Sequence, residues 1–194
     1  MVHVGQKAPD FACEAVVDGK VTELSLGSFT NRYKVLFFYP LDFTFVCPTE
    51  LHAFQQELPE FEKRNVQVIG ASVDSVYSHH AWLKTPKKNG GIEGITYPLL
   101  SDMCKEISRA YGVLDEKAGV ALRGIFIIDK DNVVQSMTVN NLGLGRNVAE
   151  ILRTIDALQH HEKHGEVCPA NWASGEKALE PTAQGVKNYF NGKA

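Results

Sequence analysis

The sequence predicts an α/β protein: a mixed central sheet with helices on both faces, followed by a C-terminal arm. Three observations predict it. Apolar runs of strand length recur at Val35-Leu36-Phe37-Phe38-Tyr39, at Val66-Gln67-Val68-Ile69-Gly70-Ala71 and at Leu122-Arg123-Gly124-Ile125-Phe126-Ile127-Ile128. The first two runs each lead into helically spaced apolar residues, which favours parallel pairing across a crossover. The third leads into the tight turn Asp131-Asn132 and a second strand, which favours an antiparallel edge.

The elements follow in order. Val21 to Leu26 alternates and fits a half-exposed strand, and Lys34 to Tyr39 is the first buried strand. Leu51, Phe54, Leu58 and Phe61 mark one face of a helix from Pro48 to Lys63, which Pro59 should kink or break. Val66 to Asp74 is the second buried strand, and Asp74 or Ser75 caps a short helix to Lys84. Residues 85–96, with Pro86, Gly90, Gly91 and Gly94, read as a loop. Tyr97 to Ser101 reads as a short edge strand, and Asp102 as the cap of a helix to Tyr111. Leu122 to Asp129 and Val133 to Val139 form the closing hairpin. Val148, Ile151, Leu152, Ile155 and Leu158 give the last long helix its apolar face. From His164 the chain is polar without sustained period. The expected division is therefore a domain over 1–163 and an arm over 164–194.

Composition excludes several classes of function. The chain has 194 residues, 44% of them hydrophobic, enough for a substantial core. Its formal net charge of −3 and the lack of a basic stripe argue against a nucleic-acid partner. No apolar run approaches a membrane span, and the N-terminus lacks a secretory pattern, so the expected location is cytoplasmic. Cys13, Cys47, Cys104 and Cys168 form no C-x-x-C pair, so neither a local zinc site nor a thioredoxin-type dithiol is spelled.

Cys47 stands apart. It sits where the exit loop of the first buried strand becomes a helix, with Pro48 suited to the first helical position. Unpaired backbone N–H groups and the positive end of the helix dipole favour thiolate over thiol there, and thiolate is the nucleophile. The competing reading is a buried structural thiol.

Four segments carry a resemblance to a known family: Phe43-Thr44-Phe45-Val46-Cys47-Pro48-Thr49-Glu50, Arg123-Gly124-Ile125-Phe126-Ile127-Ile128-Asp129, Gly145-Arg146, and His164-Gly165-Glu166-Val167-Cys168-Pro169-Ala170-Asn171-Trp172. With them the chain resembles the typical 2-Cys peroxiredoxins of the alkyl hydroperoxide reductase C group, over nearly its whole length. The resemblance implies a thioredoxin-like fold and a peroxidase that reduces hydrogen peroxide and organic hydroperoxides without a cofactor or metal. It implies that Cys47 attacks the peroxide, that Arg123 lies against the sulfur and the peroxide oxygens, and that the Thr44 hydroxyl bonds one of them. It also implies that Pro40 shields the thiolate, and that Glu50 and Arg146 fix the Arg123 guanidinium. Cys168 would resolve the resulting sulfenic acid from a second subunit, after the first turn around Cys47 unwinds. Thioredoxin or a flavoprotein disulfide reductase would reduce the disulfide. The expected assembly is a homodimer building a ring, a decamer.

Gly90-Gly91-Ile92-Glu93-Gly94 and Tyr189-Phe190 resemble two features of members sensitive to over-oxidation, although Glu93 stands where that loop has a glycine. This implies intermediate-to-high sensitivity. Other features stay outside the site. Gly143-Leu144-Gly145 lacks the third glycine and the βαβ setting of a dinucleotide loop. His160, His161 and His164 are expected to face water at a helix end, and His79-His80 to lie on the surface or at a subunit contact. Cys13 and Cys104 read as structural or incidental thiols, Trp82 and Trp172 as packing residues. Two other classes compete: a ring-forming holdase chaperone or peroxide relay, and a disulfide carrier, which the missing C-x-x-C opposes.

Overall fold

The computed structural model describes residues 1–192. The chain divides into two compact units, Met1–Val148 and a second beginning at Ala149. The first contains β1 (Ala12–Val17), β2 (Lys20–Ser25), β3 (Tyr33–Phe38), α1 (Cys47–Gln56), α2 (Leu58–Lys63), β4 (Val66–Ser72), α3 (Val76–Leu83), β5 (Leu99–Ser101), α4 (Glu106–Ala110), β6 (Leu114–Asp115), β7 (Val120–Ala121), β8 (Arg123–Ile128) and β9 (Val134–Asn140). Seven strands form one sheet in the order β2-β1-β5-β4-β3-β8-β9, while β6 and β7 pair separately. The β3–β4 and β4–β5 pairs are parallel, and β8 runs antiparallel to both β3 and β9. This is the expected mixed sheet, with β9 as the antiparallel edge.

One expectation is corrected. The strand at Tyr97–Ser101 is not an edge: β5 lies between β4 and β1. The covering strand was missed because Ala-Cys-Glu-Ala-Val-Val has no clean alternation. A signal was present in its turn. Asp18 and Gly19 both have positive φ, 48° and 72°, between the paired residues Val17 and Lys20. That is the two-residue Asp-Gly connection a tight hairpin favours.

Successive residues of β3 point to opposite faces, and both faces are covered. Phe38 packs with Tyr111, which follows α4, and with Phe126 of β8. Phe37 points the other way and stacks on Phe54 of α1 at 4.2 Å between ring centroids. The aromatic stack contributes about 0.5–1.5 kcal/mol beyond its buried area. Gly70 makes room for it: a Cβ there would lie 3.0 Å from Phe37 Cζ and 2.9 Å from Leu99 Cδ2. Packing through Phe37 and Phe54 thus sets the height of α1 on the sheet, and with it the position of Cys47.

Proline and capping act where expected. The helical stretch breaks at Glu57, ahead of Pro59 in the first turn of α2. Ser75 accepts a hydrogen bond from Ser78 N and caps α3. Asp102 accepts from Ile107 N and Ser108 N, so it satisfies the start of α4 from upstream of a left-handed Lys105.

The second unit holds α5, which runs Val148–His164 from the end of the first unit, and α6 (Ala183–Asn191). The arm has more structure than its missing periodicity suggested. Val167 and Leu179 form an isolated antiparallel bridge, and Thr182 caps α6 by accepting from Gly185 N. Residues 193 and 194 of the expected arm lie outside the described residues. Among the described residues no helix is long and apolar enough to cross a membrane.

Candidate active site

Strand β3 ends into residues 39–46, and α1 begins at Cys47 itself, so Pro48 takes the second helical position rather than the first. Phe43 adopts φ 55° in that loop. A left-handed bulky residue costs about 1–2 kcal/mol, so the surrounding contacts must over-determine it. The helix start has no side-chain cap. Thr49 N and Glu50 N both bond Val46 O, and the Thr49 hydroxyl adds a third contact to that carbonyl.

Cys47 is completely buried. Arg123, the first residue of β8, places Nη1 3.5 Å from Cys47 Sγ and 2.6 Å from Glu50 Oε2. Its Nε donates to Leu142 O at 2.7 Å. Arg146 donates to the same carboxylate three times, from N and Nε to Oε1 and from Nη2 to Oε2. Its Nη1 donates to Phe38 O and Gly124 O, each at 2.7 Å. Burial pulls the Arg146 guanidinium below its usual pKa, and the Glu50 carboxylate works against that loss.

The charges do not cancel among themselves. Two buried guanidinium groups share one carboxylate, which leaves a surplus positive charge directed at the sulfur. Glu50 accepts along both oxygens: Arg146 meets it with a fork, Nε to Oε1 and Nη2 to Oε2, which fixes the plane of that guanidinium, while Arg123 meets it with the one bond from Nη1. The site is therefore organised before any substrate arrives, which is the condition for electrostatic stabilisation of a developing negative charge.

The structure brings together Cys47, Glu50, Arg123 and Arg146. Pro40 is buried in the loop, and Thr44 is half-buried there. The Thr44 hydroxyl donates to Leu41 O at 2.9 Å. Its proton is thus committed to the backbone, and its oxygen remains as an acceptor. Sequence reasoning missed the carbonyls of Phe38, Gly124 and Leu142, because a backbone acceptor leaves no trace in residue type. It also misplaced His79, which is completely buried rather than on the surface. His80 is half-buried.

The loop after α3 is tied to α1. The His52 ring Nε2 lies 3.0 Å from Gly91 O, and Gln55 bonds both the N–H and the hydroxyl of Thr96. Gly91 is forced by space, since a Cβ would come within 1.8 Å of Thr85 O.

Cys168 belongs to the second unit. It is half-buried, and its Sγ meets Ala157 O at 3.6 Å. Burial raises its thiol pKa, against a lowering by Arg153. The segment around it is held by histidines expected to face water. His160 Nε2 lies 2.8 Å from Glu166 Oε2, His161 Nδ1 lies 2.7 Å from Glu166 O, and the His160 ring packs on Trp172. All four cysteines carry free thiols. Burial drives Cys13 up to about 12, with Asp102 adding to it. Among the described residues, no cluster of three or more His, Cys, Asp and Glu is arranged to hold a metal ion.

A buried thiol faced by a positive guanidinium at a helix start, on a thioredoxin-like sheet, defines a thiol-dependent redox protein. Comparison with known proteins narrows the class. The AhpC/TSA family profile matches residues 4–137, and the C-terminal domain of 1-Cys peroxiredoxin matches residues 157–192. A chloroplastic 2-Cys peroxiredoxin BAS1 from Hordeum vulgare is 55% identical over 188 residues, covering 96% of this chain and 90% of that one. The mitochondrial thioredoxin-dependent peroxide reductase of Mus musculus is 54% identical over 187 residues, covering 96% and 73%. The reduced 2-Cys peroxiredoxin of Plasmodium vivax superposes with a TM-score of 0.96 at 50% identity, covering 98% of this chain and all of that one. The chain belongs to the AhpC/TSA family of peroxiredoxins, and it is a thiol peroxidase.

Proposed function

We propose that Cys47 is the peroxidatic nucleophile and that Arg123, Glu50, Arg146, Thr44 and Pro40 build its site. The carrying observation is the 3.5 Å contact from Arg123 Nη1 to Cys47 Sγ, in a buried cluster with one positive charge to spare. The Cys47 thiolate attacks the terminal oxygen of ROOH. The S–O bond forms as the O–O bond breaks, Cys47 becomes a sulfenic acid, and RO⁻ leaves and takes up a proton. Arg123 balances the charge as it moves from sulfur to the departing oxygen. Thr44, with its own proton on Leu41 O, accepts the hydrogen bond of the peroxide O–H. Pro40 contributes buried apolar bulk and no competing N–H.

Cys168 then resolves the sulfenic acid. Its sulfur bonds to that of Cys47 and water leaves, before further peroxide can drive Cys47 to sulfinic acid. A thiol that is completely buried cannot meet a partner thiol in place, so the first turn of α1 unwinds. Glu50, clamped by two arginines, marks where unwinding stops. In this reading Cys168 comes from a second subunit, and the subunits assemble into a ring, a decamer. The exposed aromatics Phe45 and Tyr77, 93% and 78% accessible, support a subunit contact. An external dithiol protein closes the cycle, and the name of the mouse relative favours thioredoxin.

Peroxide consumption with thioredoxin and its reductase tests the reading. Cys47→Ser should abolish turnover, and retained turnover would sink it. Oxidised wild type should run as a dimer on a non-reducing gel and Cys168→Ser as a monomer; a dimer that persists in Cys168→Ser contradicts the intersubunit bridge.

A further inference from the structure

We propose that Asp42, His79 and Asp74 form a positioning device that fixes the Leu41–Asp42 peptide and thereby aims the Thr44 hydroxyl oxygen at the peroxide. The proposal rests on the reading of Cys47 and Thr44 above.

The device is a buried polar network that the catalytic cycle does not otherwise use. His79 Nδ1 lies 2.8 Å from Asp42 Oδ2, and its Nε2 lies 3.1 Å from Leu100 O. Both ring nitrogens therefore face acceptors, and only the doubly protonated ring satisfies both. The side chains of the pair are 0% and 1% exposed. The Tyr39 hydroxyl donates to Asp42 Oδ1 at 2.9 Å and the Ser78 hydroxyl to Asp42 Oδ2 at 2.8 Å. Asp42 is thus gripped from the residue that follows β3 and from α3 at once.

The backbone carries that grip to the site. Asp42 N donates to Asp74 Oδ2 at 2.9 Å, and Ser72 Oγ holds the same oxygen at 2.7 Å. Leu41 O, on the other edge of the same planar peptide, accepts the Thr44 hydroxyl proton at 2.9 Å. Turning that peptide would turn the carbonyl, and the hydroxyl would follow. Between the two anchor points sits Phe43, left-handed at φ 55°, its ring 5.7 Å from that of Trp82. A strained residue beside a catalytic group persists only where its neighbours hold it. The buried pair supplies the hold.

The groups facing His79 are Tyr39 just after β3, Asp42 from the loop, Asp74 after β4 and the Leu100 carbonyl from β5. Burial alone would lower the His79 pKa. The Asp42 hydrogen bond and charge, Leu100 and Asp74 outweigh it, and the net shift is upward from 6.5. Burial and Asp42 keep Tyr39 protonated by raising its pKa well above the usual value.

A double-mutant cycle tests the coupling. The rate constant for oxidation of Cys47 by hydrogen peroxide is measured in a single turnover, with alkylation of Cys47 by iodoacetamide as the reference. His79→Asn should slow peroxide oxidation about tenfold, as expected when a positioned group shifts by less than an ångström. Alkylation, which needs no O–O alignment, should change little. In a Thr44→Val background the same substitution should cost almost nothing further, because Thr44 is the route by which His79 acts. Equal losses in both backgrounds, or no loss in the first, overturn the proposal. Tyr39→Phe deletes one hydroxyl from the network and serves as the milder variant if His79→Asn folds poorly; it should show a smaller loss with the same cancellation, and additivity there would be as damaging. Should the wild type itself consume no peroxide, the peroxidase reading fails instead, so the two failures are distinguishable.

Discussion

The two thiols assigned to the redox cycle sit in opposite kinds of structure. Cys47 is completely buried, and the side chains around it are fixed by several bonds each: Glu50 accepts from two arginines, and each arginine also bonds backbone carbonyls. Cys168 is half-buried and has one long S···O contact, in a segment whose β-structure is a single isolated bridge. In the proposed cycle Cys47 needs preorganisation, because the charge that passes from its sulfur to the leaving oxygen must be met without rearrangement. In that cycle Cys168 has the opposite requirement, because its sulfur must reach a partner thiol. The densely bonded site and the sparsely bonded thiol lie in two units of one chain.

Substitutions can break or sharpen this contrast. Arg123→Ala removes the cation beside the sulfur and should lower the peroxide rate constant about 10²–10³-fold, the scale for loss of one preorganised donor; stopped-flow oxidation measures it, and a loss below tenfold would argue that Arg123 is structural. Cys168→Ser should leave that first oxidation nearly unchanged while stopping repeated turnover with a dithiol protein. If the first oxidation slowed as well, the two regions would not be separable. Glu50→Gln leaves two buried guanidinium groups without their anion and should destabilise the fold by about 3–5 kcal/mol in urea unfolding.

The buried pair adds a pH-dependent term. The His79 pKa is raised on folding, so its contribution is fully present below about 6.5, the unfolded value, and is lost as pH rises through the higher folded value. Wild type should therefore exceed His79→Asn in stability by about 1–3 kcal/mol in mildly acid buffer, with the gap closing in alkaline buffer. A gap constant with pH would mean that the ring is neutral. The smallest effect is expected at the surface of the second unit. Glu150 and Arg153 pair in an i,i+3 geometry, 57% and 34% exposed. Glu150→Ala should shift the unfolding midpoint by no more than about 0.5 kcal/mol equivalent.

Much of the site was legible because its chemistry demands particular letters. A thiol at a strand-to-helix junction, an arginine opening a buried strand and a glutamate in the first turn of the helix are each visible as residue types. Proline breakage at Pro59, the Ser75 cap and the hairpin at Asn132 were visible for the same reason. Illegible features depended on how the chain returns on itself, most often from far away in sequence. His79 beside His80 gives no hint of burial, since both lie on one short helix and only the position of Asp42 distinguishes them. The strand Ala12–Val17 was hidden because packing, not alternation, places it beside β5. His160 and His161 at the end of α5 looked solvated because Glu166 returns to them only after a left-handed turn at Gly165.

Sequence alone determined the order of the buried strands and long helices, the mixed sheet and the residues able to do thiol chemistry, because apolar periodicity, turn chemistry and nucleophile type are local properties. Only the tertiary structure decided that Thr44 gives its proton to Leu41, that two arginines share Glu50, and that a buried imidazole supports the loop. The last two depend on residues remote in sequence, and even the short Thr44–Leu41 bond exists only when the folded loop closes its distance.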